Sequence, residues 1–82
     1  MTTRRHCFLI DARPEADVLV RVLTLFAVQA AEVVAMSVTR EAGAIAIRLE
    51  ADGLDPGRAE RLLMRVRNLP VVLSAGLGWR AA

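Results

Sequence analysis

The stretch from Val18 to Val38 constrains the fold of this chain more than any other feature. It reads VLVRVLTLFAVQAAEVVAMSV, and its strongly polar side chains are Arg21, Gln29 and Glu32. About 20 apolar residues are enough to cross a bilayer, so a membrane span is one alternative for this stretch. Burial of Arg21 and Glu32 at membrane depth would cost roughly 2.5–3.5 kcal/mol each, which weighs against that alternative.

The spacing of apolar residues changes within this stretch. Between Leu19 and Phe26 they recur every three or four residues, as in a helix, whereas from Val34 to Val38 they alternate with small residues, as in a strand. We therefore predict a buried helix, a short connection at Gln29 to Ala31, and then a strand.

Length and composition indicate a small aliphatic domain. The 82 residues are expected to form one domain, residues 1–82. Apolar residues make up 55% of the chain, above the usual share of roughly 45–50%. The aromatic residues are Phe8, Phe26 and Trp79, so the core must be mostly aliphatic. Surplus apolar surface on a small domain usually marks a partner interface.

The polar residues narrow the possibilities further. The net charge of +2 is small, and the high isoelectric point follows from the high pKa of arginine. Cys7 is the single cysteine, so we expect neither an internal disulfide nor a thiolate metal cluster. The apolar run after Arg5 ends at Asp11, which is too short for a secretory signal, so the expected location is cytoplasmic.

The periodic and turn signals predict six elements in the order strand, helix, strand, strand, helix, strand. Their predicted bounds are Arg5–Asp11, Pro14–Gln29, Glu32–Arg40, Ala44–Ala51, Pro56–Asn68 and Val71–Leu77. With right-handed crossovers this order predicts the α+β class: a ferredoxin-like βαββαβ sandwich, a four-stranded antiparallel sheet with two helices on one face. The core covers about residues 5–77, with flexible ends and a tail from Gly78 to Ala82.

Individual proline, glycine and aspartate residues predict several turns and helix N-termini. Pro14 suits a first helical position, with Glu15 and Asp17 in the first turn, where negative charge is favourable. Gly43 in the turn before the third strand can adopt positive φ. Asp55 is the predicted N-cap of the second helix and is followed by proline.

Periodicity also predicts which side chains face the core. The inward set is Phe8, Ile10, Leu19, Val22, Leu23, Phe26, Ala30, Val34, Met36, Val38, Ile45, Ile47, Leu49, Ala59, Leu62, Leu63, Val66, Leu69, Val71, Leu73, Ala75 and Leu77. The opposite sheet face carries small or mildly polar residues, which either stay solvated or take a second layer. These are Cys7, Leu9, Ala35, Ser37, Ala44, Ala46, Val72 and Ser74.

The first helix is more apolar than one core-facing stripe requires. Its additional apolar residues fall on a second flank, and we expect this flank to pack against another subunit of a homodimer or higher homo-oligomer. The predicted interface residues are Val18, Leu25, Val28 and Val33.

Residues that would support catalysis or metal binding are scarce. His6 and Cys7 have no second ligand cluster at metal-binding spacing. The third strand offers Ala44, Ala46 and Arg48 where RNA-recognition domains present base-stacking aromatics. The chain also lacks a recognisable acid–base or nucleophile–base pair. We therefore predict no enzyme activity, no cofactor, no metal and no nucleic-acid partner.

The chain resembles the ACT domain and, within that family, the short regulatory (small) subunit of acetolactate synthase. The resemblance is strongest from Ala12 to Val38, ARPEADVLVRVLTLFAVQAAEVVAMSV, and covers residues 5 to 77. Residues at matching places are Leu19, Arg21, Val22, Leu23, Val33 and Met36. The resemblance implies a regulatory role in amino-acid biosynthesis.

Two motifs of amino-acid-sensing ACT domains are missing. Residues 14–17, PEAD, stand where these domains carry Asn-x-Pro-Gly, and residues 29–32, QAAE, stand where they carry Arg-Gly-x-Asn. Asp17 and Glu32 would repel the carboxylate of an amino acid, so the chain binds either no amino acid or a different ligand. The family positions imply the ligand-binding candidates Asp11, Arg13, Pro14, Asp17, Ala30 and Glu32.

Three functional hypotheses follow. The first is a non-catalytic ACT-type regulatory subunit that dimerises and modulates a partner enzyme of amino-acid metabolism, for which the resemblance implies the thiamine-diphosphate enzyme acetolactate synthase. The second is a free-standing sensor of a small molecule such as an amino acid. The third and weakest is a nucleic-acid-binding domain, for which the arginines of the second helix would contact phosphates.

Overall fold

The computed structural model describes residues 4–81, with side chains described through residue 79. The elements are β1 (Arg4–Ala12), α1 (Val18–Val28), β2 (Glu32–Glu41), β3 (Ala44–Asp52), α2 (Pro56–Arg67) and β4 (Val72–Ala81). The strand pairs are antiparallel in the order β2-β3-β1-β4, so β1 and β3 are interior strands. The predicted α+β sandwich with βαββαβ order is confirmed.

The pairing of the interior strands determines which of their residues enter the core. Phe8 lies opposite Leu49 and Ile10 opposite Ile47, and all four are at most 2% exposed. Leu9 is 56% exposed, because successive side chains of a strand point to opposite faces. We call the sheet face that carries Leu9 the open face, since α1 and α2 both pack on the other side.

The two helices contribute one apolar stripe each to the core. α1 buries Val18, Val22 and Phe26, spaced one turn apart. α2 buries Ala59, Leu62, Leu63 and Val66, as the spacing predicts. Leu19, Leu23 and Leu69 are partly buried at the margin of the core.

Two turn predictions are confirmed in detail. β2 and β3 are joined by a two-residue turn in which Gly43 has φ +80°, a conformation that costs glycine little. At the start of α2, the Asp55 carboxylate accepts a hydrogen bond of 2.8 Å from the Arg58 backbone N–H, and Pro56 occupies the first turn. This satisfies a donor that the helix itself leaves unpaired.

The start of α1 differs from its prediction. The helix begins at Val18, and residues 13–17 form an irregular segment. The Arg13 backbone N–H donates to the Val71 carbonyl at 2.9 Å, and the Glu15 N–H donates to the Arg13 carbonyl at 2.8 Å. These bonds hold the segment against the end of the sheet, so Pro14 precedes the helix and the first turn carries no acidic residue.

Both edge strands contain a register shift, which changes which residues face the core. In β2 the shift lies between Val33 and Ala35: Val33 packs against the core, while Val34 is 38% exposed. In β4, Val72 packs against the core and Leu73 is 55% exposed. The predicted outward position of Val72 is therefore wrong, and Val34 and Leu73 are not part of the core, because a β-bulge places two residues opposite one and interrupts the alternation.

β2 is an edge strand whose apolar residues are only partly covered. Met36 and Val38 pair with Leu49 and Ile47 and so lie on the helix side of the sheet, as predicted. They are nevertheless 45% and 42% exposed. The helices thus leave an apolar margin beside this edge.

The C-terminal strand is longer than predicted. β4 continues to Ala81, and Trp79 pairs with His6 of β1. The Arg4 guanidinium carbon lies 4.0 Å from the centroid of the Trp79 ring, a cation–π contact. The predicted tail is therefore wrong for residues 78–81, whereas residues 1–3 and 82 of the predicted flexible ends lie outside the described residues.

The stretch from Val18 to Val38 is divided between α1 and β2, as its change of periodicity predicts. Among the helices of residues 4–81, none has the length and apolar content needed to span a membrane.

Candidate functional site

A cleft of about 230 Å³ lies between the segment that precedes α1 and the turn end of the β2–β3 hairpin. We call it the α1 cleft. It is lined by Pro14, Glu15, Ala16, Val18, Leu19, Val38, Arg40 and Ile45. Its residues come from two parts of the chain that are brought together when α1 packs on the sheet.

The α1 cleft combines aliphatic walls with one charge of each sign. Val18, Leu19 and Val38 supply apolar surface, while Arg40 and Glu15 are exposed at the rim. Arg40 pairs with Ile45 at the end of the hairpin, so its side chain lies on the helix side of the sheet. A guanidinium binds carboxylates well, so the cleft can hold a small carboxylate with an aliphatic part.

Only part of the predicted ligand set reaches this cleft. Pro14 lines it, and Arg13 anchors the adjacent segment through its backbone. Asp17 occupies the N-cap position of α1 without capping it, and instead accepts a hydrogen bond of 2.7 Å from Arg21 Nε. The Asp17 carboxylate is thus committed to a pair within the helix.

Asp11, Ala30 and Glu32 lie elsewhere. Asp11 is on the open face, where it accepts a hydrogen bond of 3.1 Å from the Ser74 hydroxyl. Ala30 and Glu32 follow the other end of α1, a helix of 11 residues, which spans roughly 16 Å at ~1.5 Å per residue. The six predicted ligand residues therefore do not lie together within one protomer, and their role in ligand binding stays a prediction.

Ala30 adopts a strained backbone conformation. Its φ of 55° is the single positive value among the non-glycine residues described. The left-handed region costs a residue with a Cβ atom roughly 1–2 kcal/mol. By the sequence resemblance, Ala30 stands at the glycine of the motif Arg-Gly-x-Asn, and glycine adopts a positive φ at little cost.

The hairpin side of the cleft was not predicted from the sequence. Val38 and Arg40 were assigned to the second strand, but nothing in the sequence showed that the end of this strand would lie beside the head of α1. The two-residue spacing of Val38 and Arg40, which places an aliphatic residue and a cation on one face, was the available signal.

The predicted interface residues do not form one exposed flank. Val18 is 1% exposed and belongs to the core, so that assignment is wrong. Leu25 and Val33 are partly buried against the core, whereas Val28 is 70% exposed. Of the four, Val28 has the most surface available for a partner.

His6 is the buried polar residue of the described chain. It is 2% exposed, and its Nδ1 has no hydrogen-bond partner among residues 4–81. Burial lowers the pKa of His6, and the nearby Arg4 lowers it further, with Asp55 acting in the opposite direction. Within residues 4–81 no three His, Cys, Asp or Glu side chains cluster as metal ligands.

Solved structures share this architecture at low sequence identity. The ACT domain from GTP pyrophosphokinase of Chlorobium tepidum superposes with a TM-score of 0.80 at 9% identity, covering 94% of this chain and 100% of that one. The C-terminal domain of the MgtC protein from Mycobacterium tuberculosis gives 0.73 at 16% identity, covering 98% and 88%. A homoserine dehydrogenase from Thiobacillus denitrificans gives 0.77 at 14% identity, covering 99% of this chain but 17% of that one. At these identities the similarity shows the fold alone.

No curated protein matches the chain significantly. The fold nevertheless defines its class, the ferredoxin-like α+β sandwiches. Within that class, the family model of the ACT-like domain matches residues 2–80, so the chain belongs to the ACT-like domain family. Domains of this family are commonly regulatory and non-catalytic, in enzymes of amino-acid metabolism.

Proposed function

We propose that this chain is a non-catalytic regulatory module that pairs with a second copy along α1 and β2 and modulates a partner enzyme of amino-acid metabolism. Membership of the ACT-like family supports the regulatory role. The sequence resemblance nominates acetolactate synthase, a thiamine-diphosphate enzyme, as the partner. The same fold forms 17% of a homoserine dehydrogenase chain, so it also occurs as a minor part of a larger enzyme.

The exposed margin of β2 is the observation that carries this proposal. Edge strands present unpaired backbone N–H and C=O groups and readily add another strand. On the helix side, this edge is bordered by Met36 and Val38, 45% and 42% exposed, and by the partly buried Leu19 and Leu23 of α1. We call these four residues the β2 margin. They add apolar contact area to the hydrogen bonds that strand pairing provides.

The other edge of the sheet is less suited to pairing. Arg67 Nε donates a hydrogen bond of 2.9 Å to the Ala75 carbonyl of β4, which occupies an acceptor that an added strand would need. The bulge at Leu73 further distorts this edge. The difference between the edges favours β2 as the site of self-association.

A two-fold pairing centred on β2 would also reunite the predicted ligand residues. In such a pair the strands run antiparallel, so the Arg40 end of one β2 lies beside the Glu32 end of the other. The α1 cleft of one protomer would then face Ala30 and Glu32 of the second copy. This arrangement accounts for the division of the predicted ligand set between the two ends of one protomer.

The alternative function, a free-standing sensor of a small molecule, is favoured by one observation. The α1 cleft holds Arg40 and Glu15, whose opposite charges suit the carboxylate and ammonium groups of an amino acid. The nucleic-acid alternative loses support, because Arg58 and Arg67 already donate to the backbone carbonyls of Gln29 and Ala75.

Sedimentation velocity tests the pairing. Met36→Arg places a charge in the β2 margin and is expected to convert the dimer to a monomer with unchanged far-UV circular dichroism. By helical periodicity, Val28 lies across the core-facing stripe from Leu19 and Leu23, so Val28→Arg tests the outer flank of α1 separately. Met64→Arg, at a residue 54% exposed on α2, is the matched control. A wild-type monomer would contradict the proposal.

Addition of the purified chain to the catalytic subunit of acetolactate synthase tests the proposed partner. Regulation requires that the module bind the active and less active states of the enzyme with different affinity. We expect wild-type chain to change the turnover rate, with a smaller effect from Met36→Arg. Equal rates with and without the chain would exclude this enzyme as the partner.

A further inference from the structure

The single histidine and the single tryptophan of the chain are partners across two strands. His6 of β1 pairs with Trp79 of β4. His6 alternates with the buried Phe8 and so lies on the helix side of the sheet, and its partner Trp79 shares that side. Arg4, two residues before His6, holds its guanidinium carbon 4.0 Å from the centroid of the Trp79 ring. We call His6, Trp79 and Arg4 the sheet-end cluster.

The surroundings of His6 favour its neutral form. The side chain is 2% exposed, and its buried Nδ1 has no hydrogen-bond partner within residues 4–81. A proton on the imidazole would therefore create a buried charge without a paired acceptor at Nδ1, which is costly. Two charged groups act on His6: the like charge of Arg4 opposes protonation, and the Asp55 carboxylate favours it. Asp55 already accepts a hydrogen bond from the Arg58 N–H at the start of α2.

Of the two strands beside His6, β4 can separate from it at the lower cost. β4 is an edge strand, so β1 is its single neighbour in the sheet. Near Trp79, which is 57% exposed, the strand contains Gly76 and Gly78, and glycine weakens a strand because it has no side chain to pack. On the other side, His6 pairs with the fully buried Ala51 of the interior strand β3. We call residues 76–81 the β4 end.

From these observations we propose that the β4 end is a pH-sensitive element of the fold. On acidification, protonation of His6 favours a state in which the β4 end separates from β1 while β2, β3 and both helices stay folded. In this released state the imidazolium is hydrated, and Trp79 loses its contact with Arg4. Local opening of this kind is least costly where few buried contacts are broken.

Proton binding favours the released state at low pH. In the closed state, burial and the nearby Arg4 hold the pKa of His6 below its ordinary value of 6.5. Contact with water returns the pKa towards that value, so below about pH 6.5 the released state binds more protons and gains stability relative to the closed one. Release involves neither the β2 edge nor a partner enzyme, so its tests are independent of those for self-association and regulation.

Amide hydrogen exchange of the full chain, followed by NMR, tests the release. Between pH 7 and 5 we expect protection of the N–H groups that pair residues 76–80 with β1 to fall at least about fivefold, after correction for intrinsic rates, and by at most about tenfold per pH unit. These groups should stay less protected than those between β1 and β3, and dilute urea should not change their exchange, because local opening exposes little surface. Equal protection in the two sets would show exposure of His6 by global unfolding alone and would overturn the proposal.

Arg4→Gln tests whether the sheet-end cluster acts as a unit. The substitution removes the like charge beside His6, so the midpoint of the His6 ring-proton titration in the folded chain should rise towards its ordinary value. It also removes the cation–π contact with Trp79, so the β4 end should lose protection at pH 7. Arg48→Gln, at an exposed arginine of β3, is the matched control and should change neither quantity. An unchanged midpoint together with unchanged protection in Arg4→Gln would contradict the coupling.

His6→Leu removes the titrating group and keeps an apolar side chain at the buried position. In this variant we expect the protection of the β4 end to be the same at pH 7 and 5, whereas Cys7→Ala, at the adjacent residue, should keep the wild-type dependence. The wild-type chain gives the same test without a variant, because its protection must change between the midpoint of the His6 ring-proton titration and about pH 6.5. A change outside that interval, or one that persists in His6→Leu, overturns the proposal.

Discussion

Phe8 and Phe26 meet edge to face, with ring centroids 4.9 Å apart and an interplanar angle of 79°. The contact joins β1 to α1, and both residues are at most 1% exposed. Phe26→Ala would leave a cavity at this junction and is expected to lower the free energy of unfolding by roughly 3–5 kcal/mol. Urea denaturation measures the loss. Phe26→Leu, which keeps most of the volume, should cost clearly less, and an equal loss in both variants would assign the effect to the ring contact instead of the cavity.

The left-handed conformation of Ala30 gives a second prediction. Ala30→Gly relieves a backbone strain of roughly 1–2 kcal/mol, partly offset by the entropy that glycine loses on folding, roughly 0.5–1 kcal/mol. We expect a net gain of up to about 1 kcal/mol in the free energy of unfolding. Ala27→Gly, inside α1, is the matched control and should lose about 1 kcal/mol. A loss of stability in both variants would contradict the strain at Ala30.

The burial of His6 predicts a dependence of stability on pH. The pKa of His6 in the folded chain lies below its ordinary value of 6.5, so below about pH 6.5 the unfolded chain binds more protons than the folded one. The free energy of unfolding should therefore fall as the pH decreases from 6.5, by at most about 1.4 kcal/mol per pH unit for one proton. Urea titrations between pH 7.5 and 5 measure the slope.

His6→Leu is the control for this dependence, because His6 is the single histidine of the chain. In that variant the slope between pH 7 and 5.5 should disappear. The Arg5 guanidinium lowers the pKa of Asp52, and the stability that this pair contributes is lost in a separate window, below pH 3.8. A wild-type free energy of unfolding that is unchanged between pH 7.5 and 5 would contradict the role of His6.

The α1 cleft gives a prediction about ligands. Because residues 14–17 and 29–32 lack the amino-acid-binding motifs and contribute Glu15, Asp17 and Glu32, we expect millimolar amino acids to leave the melting temperature unchanged. A ligand at 100 times its Kd would stabilise the folded chain by about 2.7 kcal/mol, which a thermal-shift panel detects easily. A shift that Arg40→Gln abolishes and Arg61→Gln retains would favour the sensor alternative over partner docking.

Local chemistry made much of the fold predictable. Asp55 followed by proline contains both a capping carboxylate and a favourable first-turn residue, so the start of α2 follows from adjacent positions. Gly43 marks the turn between β2 and β3 because glycine adopts positive φ at little cost. The alternation of Ile45, Ile47 and Leu49 is uninterrupted, and their burial follows directly.

The errors arise where distant parts of the chain meet. Val34 and Leu73 leave the core because pairing with neighbouring strands contains a bulge, which strict alternation cannot anticipate. Pro14 lies outside α1 because the adjacent Arg13 is held by the carbonyl of Val71, far along the chain. The hairpin side of the α1 cleft was missed for the same reason, since Arg40 reaches it through tertiary packing.

The hydrogen bond from Arg67 to the Ala75 carbonyl has a consequence for how far the sheet can grow. A filament that grows by strand addition needs two unpaired sheet edges on every molecule, one that joins the preceding copy and one that receives the next. Because Arg67 occupies the Ala75 carbonyl and the strand is bulged at Leu73, we expect the β4 edge to accept a further strand less readily than the β2 edge. At high protein concentration we therefore expect this apolar chain to form closed oligomers and not fibres.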